Sequence, residues 1–315
     1  MNYGMPYVGS KNKIAENIIA QLPPAKHFYD CFGGGGAISH CALLSGKYKY
    51  VHYNEFNHLV FKAFKMAING EFKDENRWIS REYFERLKDT DPYVACCFSF
   101  GNDFKTYAYG KNCELFKKAV HYSIVFDDNS LLKEYIDLKD FKYSSKNIKE
   151  RRSELHSLLK KSKLDVEYGK PNQPVAQHQI WLESLERLES LERLERLERL
   201  ERLENINNER LLLSNLSYEE VPIESDSVIY CDPPYLKVTK KKIYNNSDFN
   251  HNEFYEWCRK QNNIFISEYT MPDDFEVLYQ KEKTCSLGLN NNTKTVEKLF
   301  VNMGYESVYT QMNLF

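Results

Sequence analysis

Residues 227–235 read Ser-Val-Ile-Tyr-Cys-Asp-Pro-Pro-Tyr, which is the most informative stretch of the chain. Its first part, Ser227–Cys231, is a short apolar run that predicts a buried strand. Asp232 therefore follows the carboxyl end of a strand, where open α/β sheets bind their ligands. Two successive prolines stiffen the loop and leave its carbonyls able to accept hydrogen bonds. The sequence predicts an α/β protein with a site on this loop.

The loop combines a carboxylate, backbone carbonyls and an aromatic ring, a set that suits an exocyclic amine on a flat base. Adenine N6 fits, because it offers two N–H donors beside a π-surface. Asp232 would accept one N–H, a carbonyl near Pro233 the other, and Tyr235 would stack on the ring. Such a site works by positioning and electrostatics and requires no metal. A simple strand-ending turn is the alternative interpretation of Asp232, Pro233, Pro234 and Tyr235 taken alone.

Composition is that of a globular protein of 315 residues, 42% of them hydrophobic, which is enough for one large domain or two smaller ones. No apolar run is long enough to cross a bilayer and no signal-peptide pattern opens the chain, so we expect a cytoplasmic protein. The eight cysteines lack metal-binding spacing, which favours reduced, structural thiols.

The formal charge is −2, and residues 182–204 account for −3 of it, with eight Glu against five Arg. The remainder is close to neutral. Any surface that binds nucleic acid must therefore be a local patch.

A strand, a glycine loop and a helix are predicted near the amino end, over Phe28–Phe32, Gly33–Gly36 and Ala37–Leu44. Glycines let the backbone approach a ligand, and a helix amino terminus directs N–H groups at it. After a second strand-like run, Lys49–Tyr53, Glu55 stands where an acid can accept from ribose hydroxyls. The spacing indicates a nucleoside cofactor, with a solvated loop acid as the alternative.

Residues 70–174 change in character to Lys, Tyr and Phe-rich sequence, which indicates an inserted domain. Its loop Cys97–Lys111 interleaves aromatic, amide and cationic side chains that can contact phosphates and base edges or wedge between bases. A loop packed by its own aromatics is the alternative. The basic, helical stretch Lys142–Lys163 fits either a phosphate-tracking helix or a solvated face. The candidate DNA-contacting residues in the loop are Asn102, Lys105, Tyr107, Tyr109 and Lys111.

Leucine recurs at every third position from Leu182 to Leu203, with Ile206 continuing the series. Helix is favoured by the Leu, Glu and Arg content, but a three-residue period winds the leucines around the axis. We therefore predict a linking helix over residues 182–206 that buries different faces, kinks, or tightens locally to 3₁₀ geometry. Strands resume at Arg210–Leu213 and Asn263–Ser267, so the catalytic part is expected over residues 1–69 and 175–315.

These motifs resemble those of the DNA adenine methylase (Dam-like) family, the α group of S-adenosylmethionine-dependent N6-adenine methyltransferases. Tyr7–Lys11 is similar to the family's Trp-x-Gly-Gly-Lys element, Asp30–Gly35 to its Glu-Pro-Phe-x-Gly-Gly motif, and Asp232–Tyr235 to its catalytic tetrapeptide. The order of cofactor motif, recognition insertion and catalytic motif is also the family's. Asn263–Tyr269 and Glu297–Val301 resemble its later strand elements.

The resemblance implies a Rossmann-like class I methyltransferase sheet with helices on both faces, and a mainly helical target-recognition domain inserted at 70–174. It implies S-adenosylmethionine as cofactor and a flipped-out adenine in duplex DNA as acceptor, in a bacterial modification or phage system. Asp232, Pro233, Pro234 and Tyr235 would receive the adenine. The implied cofactor-binding residues are Tyr7, Lys11, Asp30, Phe32, Gly33, Gly34, Gly35, Glu55 and Asp232.

Three departures from the family pattern stand out. Cys31 replaces the usual proline, Asp30 is one methylene shorter than the usual Glu, and Ser217 stands where many relatives carry an Asp beside the adenine. Ser217 puts base discrimination or rate in question. It leaves a catalytically silent DNA-binding or clamp-associated protein as one alternative, with an N4-cytosine or RNA methyltransferase as another.

The carboxyl end, Gln311–Phe315, resembles the short peptide that bacterial proteins insert into the replication sliding clamp. Gln311, Leu314 and Phe315 would form the contact, with Leu314 and Phe315 anchored in a pocket. An ordinary terminal strand is the alternative. The sequence gives no recognition site and no oligomeric state.

Overall fold

A computed structural model describes residues 2–136, 138, 141–167, 196, 199, 200, 202–206, 209–235, 249–285 and 293–303. The chain divides into two compact units, Met1–Gly70 with Arg202–Phe315, and Glu71–Glu201. The strands are β1 (Ala25–Asp30), β2 (Tyr48–Asn54), β3 (Leu211–Ser214), β4 (Ser227–Cys231), β5 (Ile264–Glu268), β6 (Phe275–Cys285) and β7 (Thr293–Asn302). The α-helices are α1 (Ala15–Gln21), α2 (Ala37–Ser45), α3 (His58–Ile68), α4 (Arg81–Leu87), α5 (Pro92–Cys97), α6 (Glu114–Phe126), α7 (Ile148–Glu167) and α8 (His251–Arg259).

The first unit is built on a seven-stranded sheet in the order β3-β2-β1-β4-β5-β7-β6. Strands β1 to β5 pair in parallel, and β7 runs antiparallel to both β5 and β6. The order reverses between β1 and β4, which makes the carboxyl ends of those two strands the topological switch point where such sheets bind ligands. The predicted mixed α/β class is confirmed.

The burial of the two central strands, β4 and β5, explains why both could be predicted from the sequence. All five residues of β4 and of β5 are buried, so neither strand alternates, as expected for parallel strands covered on both faces. Strand β4 has the predicted bounds, and β5 begins one residue later than predicted. An apolar cluster packs around them, formed by Tyr29, Cys31, Val221, Ile229, Cys231, Phe254, Tyr255, Cys258, Ile264, Ile266, Phe275 and Phe300.

The second unit is helical in its described part, with one isolated antiparallel bridge between Ser99 and Tyr107. The basic helix α7 begins at Ile148, six residues later than predicted, because the Asn147 side chain accepts from the N–H groups of Lys149 and Glu150. This unit has a core of its own, formed by Phe116, Ala119, Val120, Ile124, Leu132, Leu138 and Leu155.

The Leu-Glu-Arg tract is described at its carboxyl end only. Arg202–Ile206 forms a 3₁₀ helix in which Leu203 and Ile206 are buried, and Leu200 before it is buried too. The predicted tightening therefore occurs at these residues, while most of the predicted linking helix, and the Gln311–Phe315 peptide, lie outside the described residues. None of the helices described is both long and apolar enough to span a membrane.

Candidate active site

The loops that follow β1 and β4 lie side by side at the switch point. In the paired strands Asp30 stands opposite Tyr230, so the glycine loop and Asp232 leave adjacent strand ends. Strand β5 pairs with β4 through Ile266 opposite Cys231, which brings Tyr269 to the same edge. Because β7 is antiparallel to β5 and Lys298 stands opposite Glu268 at the end of β5, Glu297 in the middle of β7 reaches this edge as well.

Four side chains from distant parts of the chain form one polar cluster at this edge. Lys11 Nζ lies 2.8 Å from Asp232 Oδ1 and 2.6 Å from Asp232 Oδ2, and 3.8 Å from Glu297 Oε2. The Tyr235 hydroxyl donates to Glu297 Oε2 at 2.8 Å. The Lys11 ammonium also lies 4.8 Å from the centre of the Tyr235 ring. Two carboxylates thus share one cation beside an aromatic face.

Burial sets the charge state of this cluster. Desolvation raises the pKa of Asp232; the Lys11 ammonium opposes that shift, and the nearby Glu297 carboxylate adds to it. Burial, with Asp232 and Glu297 close by, also holds the pKa of Tyr235 well above its ordinary value. The phenol is therefore a hydrogen-bond donor at neutral pH, which agrees with its bond to Glu297.

The tetrapeptide loop is held from outside by two aromatic residues. His251, the first residue of α8, donates from Nε2 to the Pro234 carbonyl at 2.9 Å. Tyr269 packs against the Tyr235 ring, with centroids 4.7 Å apart and planes at 74°. The Tyr235 ring is thus fixed by contacts at its hydroxyl and its ring.

The glycine loop is packed so closely that side chains are excluded. A Cβ on Gly33 would lie 2.3 Å from the Tyr53 ring, and one on Gly35 2.8 Å from Tyr7 Cβ. Gly34 adopts φ +48°, its N–H donates to Glu55 Oε2 at 2.8 Å, and its carbonyl accepts from the Tyr53 hydroxyl at 2.8 Å. Tyr7 and Glu55 therefore both lie against the loop, on which the resemblance places the cofactor.

Asp30 faces the interior. It is 1% exposed, and its Oδ2 accepts from the N–H and the hydroxyl of Ser39 in α2, at 3.2 and 2.7 Å. Desolvation raises the pKa of this carboxyl to about 7, against the lowering effect of Ser39. The contact fixes α2 to the end of β1, so Asp30 shapes the loop from beneath.

Asn54 is a site residue to which the sequence patterns assign no specific role. Its side chain donates to the carbonyls of Cys31 and Leu216, both at 3.0 Å, and accepts from the Ser214 hydroxyl and the Leu216 N–H. These bonds join the ends of β1, β2 and β3. The signal for this role in the sequence is an Asn directly after the predicted strand Lys49–Tyr53.

Ser217 has a local structural role in this chain. It caps the 3₁₀ helix Tyr218–Glu220 through a capping box, in which the Glu220 carboxylate accepts from the Ser217 N–H at 3.0 Å. Tyr218, next to it, stacks on Phe32 with ring centroids 5.5 Å apart. The residue that departs from the family pattern thus holds an aromatic pair beside the glycine loop.

The candidate DNA-contacting residues in the aromatic loop of the second unit, Cys97–Lys111, are partly buried and partly exposed. Tyr107 and Tyr109 are 5% and 2% exposed, and they pack on Phe84 and Trp78, so their rings belong to the core of that unit. Lys105 and Lys111 are exposed, and Asn102 is half-buried with φ +59°. Phe100, which the sequence did not single out, is 54% exposed.

One family comparison applies to this chain. The family model described as D12 class N6 adenine-specific DNA methyltransferase matches residues 7–154, which include Lys11, the glycine loop, Glu55 and the aromatic loop. No curated protein shows significant similarity to the chain. The matched segment supplies Lys11, one of the four residues of the polar cluster, and the glycine loop beside it. The segment 7–154 of this chain is therefore similar to the D12 class N6 adenine-specific DNA methyltransferase domain.

Proposed function

We propose that the enzyme transfers a methyl group from S-adenosylmethionine to N6 of an adenine flipped out of duplex DNA, at a specific sequence. The observation that carries this proposal is the cluster of Asp232, Tyr235, Lys11 and Glu297, placed beside the glycine loop at the switch point of the sheet. The family match supports DNA adenine methylation in general. The donor and the extruded base are the parts that we add.

The residues of the glycine loop fit such a donor by their chemistry. Ribose hydroxyls are donors, and Glu55 presents a carboxylate at the end of β2, already bonded to the loop through Gly34. Phe32 and Tyr218 offer aromatic surface for a purine ring. Tyr7 would cover the loop from outside. S-adenosylmethionine, when bound, supplies an electrophilic methyl group.

Asp232 and Tyr235 would do complementary work on the acceptor. Asp232 accepts an N–H of the exocyclic amine, which turns the nitrogen lone pair out of the ring and toward the methyl carbon. Tyr235 offers a ring on which the base stacks. Lys11 keeps Asp232 ionised, because an adjacent cation favours the charged form. N6 inside a duplex is paired and out of reach, which is why the base must leave the stack.

The second unit, Glu71–Glu201, would bind the target DNA. Its exposed candidates are Lys105 and Lys111 for phosphates and Phe100 for insertion between bases, with Asn102 beside them. The sliding-clamp contact through Gln311, Leu314 and Phe315 stays a prediction. Deleting Gln311–Phe315 and finding unchanged clamp binding would remove it.

Incubation with labelled S-adenosylmethionine and mixed nucleic acids tests the proposed reaction. We expect label in duplex DNA at N6 of adenine, at a fixed sequence that methylation-sensitive sequencing then identifies. Label at N4 of cytosine or in RNA would show that the acceptor differs from the proposed one, while S-adenosylmethionine would remain the donor. Absence of label, with DNA binding intact, would show a catalytically silent protein on the same fold.

A further inference from the structure

Glu297 is a carboxylate buried at the proposed adenine site. It is 6% exposed, and buried carboxylates are rare in proteins unless they are paired. It lies on β7, one residue before Lys298, which stands opposite Glu268 at the carboxyl end of β5. The proposed reaction assigns it no role.

One oxygen of Glu297 contacts the ring on which the base is proposed to stack. Oε2 accepts the Tyr235 hydroxyl at 2.8 Å. A tyrosine ring turns about two side-chain torsions. A bond at the hydroxyl holds the far end of the ring and so fixes the first torsion, and because the O–H bond prefers to lie in the ring plane, it also restrains the second. Stacking needs the ring plane at a defined angle, so the orientation of Tyr235 depends on this bond.

The same oxygen lies 3.8 Å from Lys11 Nζ, so Glu297 shares with Asp232 the cation that compensates both. Asp232 must accept an N–H of the base with oxygens that Lys11 already contacts. A second carboxylate that attracts the ammonium weakens its hold on Asp232 and eases that exchange. The orientation of Tyr235 and the availability of Asp232 therefore both depend on Glu297.

We propose that Glu297 is a positioning residue for methyl transfer, which orients Tyr235 through its hydroxyl and competes with Asp232 for Lys11. This inference rests on the proposed function, because it concerns the same site and the same base. Glu297 acts through Tyr235 and Lys11 and is not itself a catalytic residue.

The test uses Glu297→Ala, Tyr235→Phe, their double variant and Glu297→Gln in the full chain. We expect Glu297→Ala to lower kcat by about tenfold or more and to leave the KM for S-adenosylmethionine within about twofold. In the Tyr235→Phe background, Glu297→Ala should lower kcat by markedly less, because the hydroxyl through which it acts is already gone. Glu276→Ala, which removes an exposed carboxylate from the neighbouring strand β6, is the matched control and should match the wild type.

The pH dependence of kcat in Glu297→Gln separates the proposed role of the charge from a simple loss of packing. Glutamine keeps the volume and an acceptor for the Tyr235 hydroxyl but removes the negative charge. Burial, Lys11, Glu297, Tyr235, Tyr230 and Asp30 act on the Asp232 carboxyl, and Glu297 is among the groups that raise its pKa. We therefore expect the acidic limb of the kcat profile to move to lower pH in Glu297→Gln, with kcat between those of the wild type and Glu297→Ala.

Three results would overturn the inference. One is an unchanged kcat and pH profile in both Glu297 variants. Another is a fall in kcat that is as large in the Tyr235→Phe background as in the wild type. The third is a loss in Glu297→Ala that thermal unfolding traces to an unfolded chain, together with a Glu297→Gln profile that has not moved. A wild-type protein that methylates no DNA would instead remove the proposed function, and this inference with it.

Discussion

At the scale of single residues, the site depends on how buried charges are compensated. Lys11 contacts both oxygens of Asp232, and Glu297 stands on the other side of the ammonium. Asp30, beneath the glycine loop, has Ser39 as its partner and no cation in the contacts described for it. The two aspartates therefore respond differently to substitution and to pH.

Substitution of Asp232 tests the acceptor role directly. Asp232→Asn keeps the volume but replaces one acceptor oxygen by a donor amide, which repels the N–H groups of the base. We expect kcat for DNA methylation to fall by about 100-fold or more, as for the loss of an essential electrostatic contact. Calorimetric titration should show S-adenosylmethionine bound within about tenfold of the wild-type affinity. Near-normal turnover would remove Asp232 from the mechanism.

Substitution of Asp30 tests the consequence of its raised pKa for stability. The folded pKa of about 7 exceeds the ordinary value of 3.8, so the folded state binds the proton more tightly. The free energy of unfolding should therefore fall as the pH rises from about 4 to 7 and level off above that. Asp30→Asn keeps an acceptor for Ser39 and should lose that slope.

Urea unfolding of the wild type and Asp30→Asn at a series of pH values measures the difference. We expect the free energy of unfolding of Asp30→Asn, measured relative to that of the wild type, to be about 1–3 kcal/mol higher at pH 8 than at pH 4. Asp89→Asn, at an exposed position, is the control and should follow the wild type. Parallel curves for wild type and Asp30→Asn would contradict the assignment.

At the scale of elements, the glycine loop is shaped by the strands and side chains around it. Tyr53, on β2, lies under Gly33 and stacks on Phe64 of α3 with ring centroids 4.1 Å apart. The ring has no room to yield to a new methyl group. A helix amino terminus and a strand end are thus kept at the close approach that the proposed donor needs.

Gly33→Ala tests this packing. Its Cβ would lie 2.3 Å from Tyr53 Cε2, so we expect a loss of about 1–3 kcal/mol in the free energy of unfolding and weaker binding of S-adenosylmethionine. Gly110→Ala is a control for the substitution, since its Cβ would meet Cys113 Sγ at an ordinary 3.8 Å. Equal stability of the two variants would mean that the loop relaxes freely.

At the scale of the whole molecule, sequence reasoning succeeded where the signal was local. The apolar run Ser227–Cys231 and the following prolines predicted β4 and the loop after it. The edge strand β6 was missed, because Phe275–Cys285 mixes charged and apolar residues as exposed edge strands do. Glu297 was missed as a site residue because its partners Tyr235 and Lys11 are far away in the chain, Tyr235 by 62 residues. Long-range pairing leaves no trace in one sequence.

Ser217 shows the opposite case. The spacing of Ser217 and Glu220 is that of a capping box, whereas the resemblance to the family pattern indicates only that an acid is missing at Ser217. Tyr107 and Tyr109 show that the composition of a loop does not predict the orientation of its side chains. An aromatic loop has the same sequence pattern whether its rings face the core or the solvent.

DNA recognition is the property of the whole molecule, and Phe100 tests it. Phe100→Ala should reduce the opening of the target base, measured by the fluorescence of 2-aminopurine at the methylated position, and weaken DNA binding by about 1–3 kcal/mol. The salt dependence of binding should stay unchanged, because no charge is lost. Leu115→Ala, which removes another exposed apolar side chain of the same unit, is the control. A salt dependence of DNA binding that differs from that of the wild type would contradict the proposed insertion of Phe100 between bases.

The ion pair between Lys11 and Asp232 joins residues 221 positions apart and makes the first eleven residues part of the proposed catalytic edge. The Met5 N–H and the Gly4 N–H reinforce this, bonding to the Gly35 carbonyl and to His40. A version of the protein shortened past Lys11 would leave Asp232 and Glu297 without the ammonium group that lies close to both. Any start site downstream of Lys11 should therefore yield a product without methyltransferase activity.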